Sequence, residues 1–343
     1  MKNKLLEVTK LSLNYNKRTV AGINDVSFDV KIGECISLIG PSGSGKTTTL
    51  KILGNQLKSY KGDVKSYGEY TVSYVPQTTE LNTDRTVFQL LEDEISYIED
   101  NEQRANQVRT ALALLNITNE INSTPEQISG GQRQRVIIAK ALVKNPTLIL
   151  LDEPFGHLDE RLRFDLMKEL FSLFKEKKIS VIWVTHETKE ALSFSDRIIT
   201  LNFGKIQQVG SPEEIYKNPK NMFVAQFFGH TNLVAGKVLE INEDKLKVKA
   251  FNRNLIIPKQ SSFVNHDHKD VLLVIRPEDI KYSEDGEDKG RVSNIFYKGG
   301  HYLVQIETSN EQSFWLHTNT KLSLKQEISY SINYSNVYCL DEI

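Results

Sequence analysis

The octet GPSGSGKT, running from Gly40 to Thr47, constrains this chain more than any other stretch. It has the form G-x-x-x-x-G-K-[ST], and it is entered from an apolar strand, CISLIG, and left by a helix, TTTLKILGNQL, that ends at Gly54 or soon after. Glycines at these positions let successive backbone N–H groups converge on phosphate oxygens, and the helix N-terminus adds positive potential. Average residue usage would produce the four fixed positions by accident in roughly one chain in a hundred of this length. With the strand and helix also in place, the stretch reads as a triphosphate cradle built from Gly40, Pro41, Ser42, Gly43, Ser44, Gly45, Lys46, Thr47 and Thr48. Lys46 is expected to reach the β- and γ-phosphates, and Thr47 to offer its hydroxyl to Mg²⁺.

A second apolar strand, LILLDE, delivers Asp152 towards that metal, with Glu153 beside it to polarise a water. Phosphoryl transfer needs mainly positioning, charge neutralisation and an oriented nucleophile, which these groups supply. Between the two, from about residue 86 to 145, the period becomes helical. Val87, Leu90, Leu91, Ile95 and Ile98 recur on one face, as do Val108, Ala111, Leu112 and Leu115. This helical insertion leads to ISGGQ, in which Ser129, Gly130, Gly131 and Gln132 open the helix RQRVIIAKALVKN and so form a second anion-binding helix N-terminus.

The ends of the chain differ in texture. EVTKLSLNY, with Val8, Leu11, Leu13 and Tyr15 read as buried, and NDVSFDV, with Val26, Phe28 and Val30 on one face, suggest half-buried antiparallel strands. Beyond about Thr231 the chain becomes eight short alternating strands, from AGKVLEI to EISYSI, which predict a compact all-β domain, sandwich or small barrel. With 343 residues the chain accommodates two domains, placed at 1–230 and 231–343. The formal net charge of −1 and the absence of a Lys/Arg stripe argue against a nucleic-acid partner. Cys35 and Cys339 form no motif and fit a reducing compartment. MKNKLLEVTK is no signal peptide, and the apolar runs are strand-length, well short of the ~20 residues that span a bilayer.

The run ISGGQRQRVIIAKALVKNPTLILLDEP, from glycine turn through one helix into the acid-ended strand, resembles the ABC-type ATPases. Over residues 1–230 the other short motifs of that family have counterparts in order. The resemblance implies that Tyr15 stacks on adenine and that Gln77, in YVPQ, contacts Mg²⁺ and the attacking water. It further implies that Asp159, in GHLDE, is the D-loop aspartate and that His186, ending VIWVTH, touches the γ-phosphate. Metal ligation then falls to Thr47, Gln77 and Asp152, and catalysis to Glu153, His186 and Gln77. In such ATPases ISGGQ faces the triphosphate held by another subunit, so a homodimer around two ATP is implied. Taken singly, Asp159 also suits a helix N-cap.

The tail, from DRIITLNFGKIQQVGSPEEIYKNP to VIRPEDI, resembles importer ATPases that end in a TOBE-type β domain. The fold implied is an α/β P-loop ATPase core with an antiparallel β subdomain and a helical insertion, followed by a small OB/TOBE-like domain. The implied partners are transmembrane permease subunits and, indirectly, an external substrate-binding protein, with this chain peripheral on the cytoplasmic face. Chain length and tail pattern lean towards ferric iron or polyamine cargo. The rival readings are a non-transport ABC ATPase acting on a macromolecular complex and a P-loop kinase. The chain departs from the family pattern at TTELNTDRTV after Gln77, in a shortened KSYKGDVKSYGEYTVSYVPQ, at His157, and at Lys140, where arginine is frequent. His266 and His268, in NHDHKD, read as solvated loop histidines and not as a metal sensor, for lack of further ligands at suitable spacing.

Overall fold

The computed structural model describes residues 3–15, 22–156, 158–259, 270–309 and 312–340; His157, His266 and His268 lie outside them. The chain forms two compact units, Met1–Pro212 and Glu213–Ile343.

The first unit opens with β1 (Lys4–Asn14) and β2 (Gly22–Lys31). These are followed by β3 (Cys35–Ile39), α1 (Lys46–Leu53), β4 (Lys61–Ser66) and β5 (Val72–Val75). The helical insertion holds α2 (Val87–Glu94), α3 (Asn101–Leu114) and α4 (Gly130–Leu142). Then come β6 (Leu148–Asp152), α5 (Glu160–Glu176), β7 (Ser180–Val184), α6 (Thr188–Phe194), β8 (Arg197–Asn202) and β9 (Lys205–Gly210).

β1, β2 and β4 make a three-stranded antiparallel sheet, and the main sheet runs β5-β6-β7-β3-β8-β9, parallel but for β9. All five residues of β6 and of β7 are buried, as uninterrupted apolar strands covered on both faces must be. Their side chains alternate between two cores. Ile149, Leu151, Val181 and Trp183 face the helical side, and Leu148, Leu150, Ile182 and Val184 face α1 and the antiparallel sheet. Each such side chain contributes roughly 1.5–3 kcal/mol on leaving water.

β1 corrects one expectation. Val8 and Leu11 are buried three residues apart because the register slips between them, where Lys10 takes φ 51. Alternation is thereby reset, Leu13 is only half-buried, and Tyr15, past the strand end, is 55% exposed.

The second unit begins ahead of its strands, with α7 (Pro212–Lys217) and α8 (Met222–Phe227). Buried Arg276 ties them to the strands, its guanidinium donating to Tyr216 O at 3.0 Å, Ala225 O at 2.8 Å and Thr231 Oγ1 at 2.8 Å. Residues 213–230 therefore group with the β domain despite their helical texture.

The strands are β10 (Asn232–Ile241), β11 (Lys245–Ala250), β12 (Arg253–Pro258), β13 (Asp270–Ile275) and β14 (Ile280–Tyr282), then β15 (Asp288–Tyr297), β16 (Tyr302–Glu307), β17 (Ser313–Thr318), β18 (Glu327–Ile332) and β19 (Tyr338–Leu340). They form two antiparallel sheets, β12-β11-β10-β13-β19 and β14-β18-β15-β16-β17. In the second sheet the terminal strands β14 and β17 lie against each other, so it curls towards a closed barrel. The fold is the P-loop core with antiparallel subdomain, helical insertion and small β domain that the sequence implies.

Candidate active site

β3 stops at Ile39, and the chain turns through Gly40–Gly45 into α1. Gly43 and Gly45 take φ +77 and +100, backbone that side chains rarely adopt. A Cβ on Gly45 would strike Ile23 Cγ2 at 2.5 Å, whereas one on Gly43 would meet nothing within 4 Å. The loop is thus packed tight behind and open in front. The buried Ser44 hydroxyl has no hydrogen-bond partner, the kind of orphan a ligand oxygen satisfies. Lys46 Nζ donates to Gly40 O at 2.8 Å and Pro41 O at 2.9 Å. Burial lowers its pKa from the ordinary lysine value, while the charges of Glu153 and Asp152 pull it back up.

Asp152 ends β6 and is 1% exposed. Its Oδ1 accepts from Thr47 Oγ1 at 3.1 Å and its Oδ2 from Tyr74 OH at 3.1 Å. Burial raises the Asp152 pKa above the usual carboxylate range, and the two hydroxyl donors oppose that rise. Glu153 follows with φ 47, a left-handed backbone that costs a non-glycine residue about 1–3 kcal/mol and tends to persist where function requires it. Its Oε2 accepts from Gln77 Nε2 at 3.0 Å, and His186 Nδ1 stands 3.7 Å from the same oxygen.

Tyr15, Gly22, Gly40, Ser42, Gly43, Ser44, Gly45, Lys46, Thr47, Thr48, Gln77, Glu153 and His186 line one open cleft of about 500 Å³. At its edge the Tyr15 hydroxyl lies 3.3 Å from Thr48 Oγ1. Anion donors, an exposed aromatic ring and an adjacent carboxylate thus converge from six segments far apart in sequence. Hard oxygens from the Thr47 hydroxyl and the Asp152 carboxylate suit Mg²⁺, which takes one or two carboxylates and completes its shell with water and phosphate oxygens. Among the described residues no group of three or more His, Cys, Asp or Glu that could hold a metal ion is found.

The ISGGQ turn and Asp159 do not line this cleft. Ser129 N-caps α4, accepting from Gln132 N, while Gln132 Oε1 accepts from Ser129 N at 2.8 Å to close a capping box. Gly130 lines a different groove, with Pro76–Glu80, Arg133, Gln134, Ile137, Pro154 and Leu158. Asp159 N-caps α5 through Leu162 N at 3.0 Å. Lys140, standing where arginine is frequent, pairs with Glu94 at 3.3 Å and so joins α4 to α2. Sequence reasoning missed Tyr74, the first residue of the quoted YVPQ. The signal was its position: in the β5–β6 pairing it sits opposite Leu150, so its side chain shares a face with Asp152 two residues on.

The class that this fold and site define is that of the ATP-binding-cassette ATPases. Residues 23–156 match the ABC transporter family, and residues 273–326 match the TOBE domain. The spermidine/putrescine import ATP-binding protein PotA of Mycoplasma capricolum subsp. capricolum is 34% identical over 353 residues, covering 99% of this chain and 98% of that protein. PotA of Clostridioides difficile (strain 630) is 36% identical over 336 residues, covering 94% of this chain and 93% of its own. A dimeric ATP-binding cassette in a post-hydrolysis state, bound to ADP and Pi, superposes with a TM-score of 0.53 at 28% identity, over 61% of this chain and 99% of that one. CbiO1 of Clostridium perfringens shares the fold, with a TM-score of 0.55 at 24% identity over 62% of this chain and 90% of that one. The chain belongs to the ABC transporter family, in the branch of ATP-binding proteins that carry a C-terminal TOBE domain. It is an ATPase, and no helix among its described residues is long and apolar enough to cross a membrane.

Proposed function

We propose that two copies of this chain clamp two MgATP head to tail and that hydrolysis drives polyamine import through separate permease subunits. The supporting observation is a division within one copy. The cleft gathers Tyr15, the loop residues from Gly40 to Thr48 other than Pro41, Gln77, Glu153 and His186, while Ser129, Gly130, Gly131, Gln132 and Asp159 lie off it, on the caps of α4 and α5. A helix N-terminus with no acidic residue in its first turn, as α4 has, suits a triphosphate on the partner. ATP brings about four negative charges, so donors on both sides make the nucleotide an adhesive that hydrolysis weakens.

Within each site, Lys46 leaves the carbonyls of Gly40 and Pro41 for the β- and γ-phosphates, and the loop N–H groups hold their oxygens. Tyr15 stacks on the adenine. Thr47, Asp152 and Gln77 would hold Mg²⁺, which would supply charge neutralisation on the phosphates. Glu153 takes the proton from the attacking water, Gln77 orients that water and the carboxylate together, and His186 contacts the γ-phosphate. Asp159 carries the state of one site to the other across the dimer.

The cargo reading rests on relatives that span nearly the whole chain and are named for spermidine and putrescine import. This favours polyamine over ferric iron and leaves the macromolecular-complex and kinase readings without comparable support. On the same reading the chain sits peripherally on the cytoplasmic side of the membrane, against a permease fed by an external binding protein. Co-expression with its permease and binding protein, in cells lacking polyamine import, should give labelled spermidine uptake that Lys46→Ala abolishes. Uptake of ferric iron with no spermidine uptake would overturn the cargo assignment.

A further inference from the structure

Asp152 is the sole carboxylate offered to the metal on the reading above, and its two oxygens are not equivalent. Oδ1 faces the hydroxyl of Thr47 on α1, and Oδ2 faces the hydroxyl of Tyr74 on β5, each at 3.1 Å. Tyr74 is only partly buried and packs against the core that α1 shares with the sheet. Gly54, just past α1, lets the base of the Tyr74 side chain come close, since a Cβ there would lie 3.2 Å from Tyr74 Cβ. The phenol reaches Asp152 because it stands opposite Leu150 in the parallel ladder, and a long side chain leaning along the strand spans the two remaining residues.

We infer that Tyr74 is a positioning residue for metal binding: its hydroxyl pins Asp152 Oδ2 so that Oδ1 is the oxygen turned to Thr47 and the metal. A carboxylate at a strand end has a broad terminal torsion. Without a donor on Oδ2, either oxygen can rotate towards Thr47, and the metal meets a ligand it must first orient. With the donor in place, the strand, the phenol and the threonine fix the carboxylate plane before the metal arrives. The inference rests on the assignment of Thr47 and Asp152 to Mg²⁺, and it adds to that set a residue that never touches the ion. Tyr70 supplies the internal control. Its hydroxyl donates to the Leu53 carbonyl at 3.3 Å, a backbone contact outside the cleft.

The test is the binding of a fluorescent ATP analogue to the full chain, with Mg²⁺ and with EDTA. In the wild type, Mg²⁺ should tighten binding. Tyr74→Phe should cut that tightening roughly fivefold, the equivalent of one hydrogen bond, and leave the EDTA affinity unchanged. Tyr74→Met, which also lacks the hydroxyl, should match it, and Tyr70→Phe should alter neither affinity. With Mn²⁺ as the ion, the nucleotide-bound EPR spectrum of Tyr74→Phe should broaden relative to wild type as the ligand loses a single orientation. An unchanged Mg²⁺ effect in Tyr74→Phe overturns the inference, as does an equal fall in both affinities, which would mark a packing role only. A wild type that Mg²⁺ fails to tighten would instead sink the metal assignment underneath it.

Discussion

Gln77 and Glu153 meet at 3.0 Å, the amide Nε2 donating to the carboxylate Oε2 at the mouth of the cleft. One follows the end of β5 and the other the end of β6, neighbours in the sheet, so their approach is set by strand register. Glu153 holds its place with a left-handed backbone. Glu153→Gln keeps the shape and retains an amide oxygen for Gln77 to donate to, but removes the base. Phosphate release should fall about 10²- to 10⁴-fold while ATP binding persists, and size exclusion should show an ATP-held dimer. Normal turnover would strip Glu153 of its assigned role.

The separation of ISGGQ from the cleft leads to a prediction in trans. In mixed dimers, Ser129→Arg on one copy should silence the site whose phosphates rest on the other copy's Lys46. Pairing each variant with Lys46→Ala on the same or the opposite chain separates the cases by residual ATPase rate. If the defect follows the mutated copy's own loop, head-to-tail assembly is excluded. The capping box around Ser129 and Gln132 also contributes about 1 kcal/mol to α4, so a melting curve on the variant should record a small loss besides.

Much of this site was legible because its chemistry is written in short contiguous strings. Gly40–Thr47, LILLDE and ISGGQ each carry their own strand or helix boundary, and the structure puts those boundaries at Lys46, Asp152 and Gly130. Tyr74 was hidden because its importance comes from pairing across strands β5 and β6, which no local pattern records. The exposure of Tyr15 was hidden because β1 ends at Asn14, so alternation carried on past the last paired residue gives the wrong burial. In the second unit, β14 and β19 span three residues each, too few to show a period, and the grouping of α7 and α8 with the β strands is not written in their helical texture, which says nothing of what a helix packs on. The partner of Arg276 was the missing information there.

A third expectation concerns the brace beneath the ISGGQ helix. Arg135 on α4 makes a two-pronged contact with Glu169 on α5, at 2.7 and 2.6 Å, and also donates to Leu115 O at the end of α3 at 3.0 Å. Hydrogen bonding from Arg135 holds the Glu169 carboxyl below the usual carboxylate range, with Asn116 adding to it. A depressed folded pKa means that the unfolded chain takes up the proton first as pH falls. The stabilisation is therefore complete above the ordinary glutamate value and is lost as pH drops through the folded one. Glu169→Gln should cost about 1 kcal/mol in urea unfolding at neutral pH, the pair being partly exposed. Its deficit relative to wild type should shrink below about pH 4. A deficit that does not change with pH would assign the loss to packing and not to the charge.

Arg276 carries the last expectation, within the second unit. It is 4% exposed, stacks its guanidinium 4.3 Å from the Tyr216 ring centroid, and donates to Tyr216 O and Ala225 O as well as to Thr231 Oγ1. A planar fork can serve acceptors on α7, α8 and the segment after them at once. An ammonium group on a flexible stem cannot cover the same spread. Arg276→Met keeps much of the apolar stem but withdraws the guanidinium from Tyr216 O and from Ala225 O, which keeps the Thr231 hydroxyl at 3.1 Å, at about 1–3 kcal/mol for a buried acceptor left unpaired. Hydrogen exchange should therefore rise across 213–231 while the strands from Asn232 onward stay protected. Arg276→Lys should fall between the two proteins. Should protection at 213–231 survive in Arg276→Met, apolar packing of Ile215, Val224 and Ala225, each fully buried, would be holding α7 and α8 without the guanidinium.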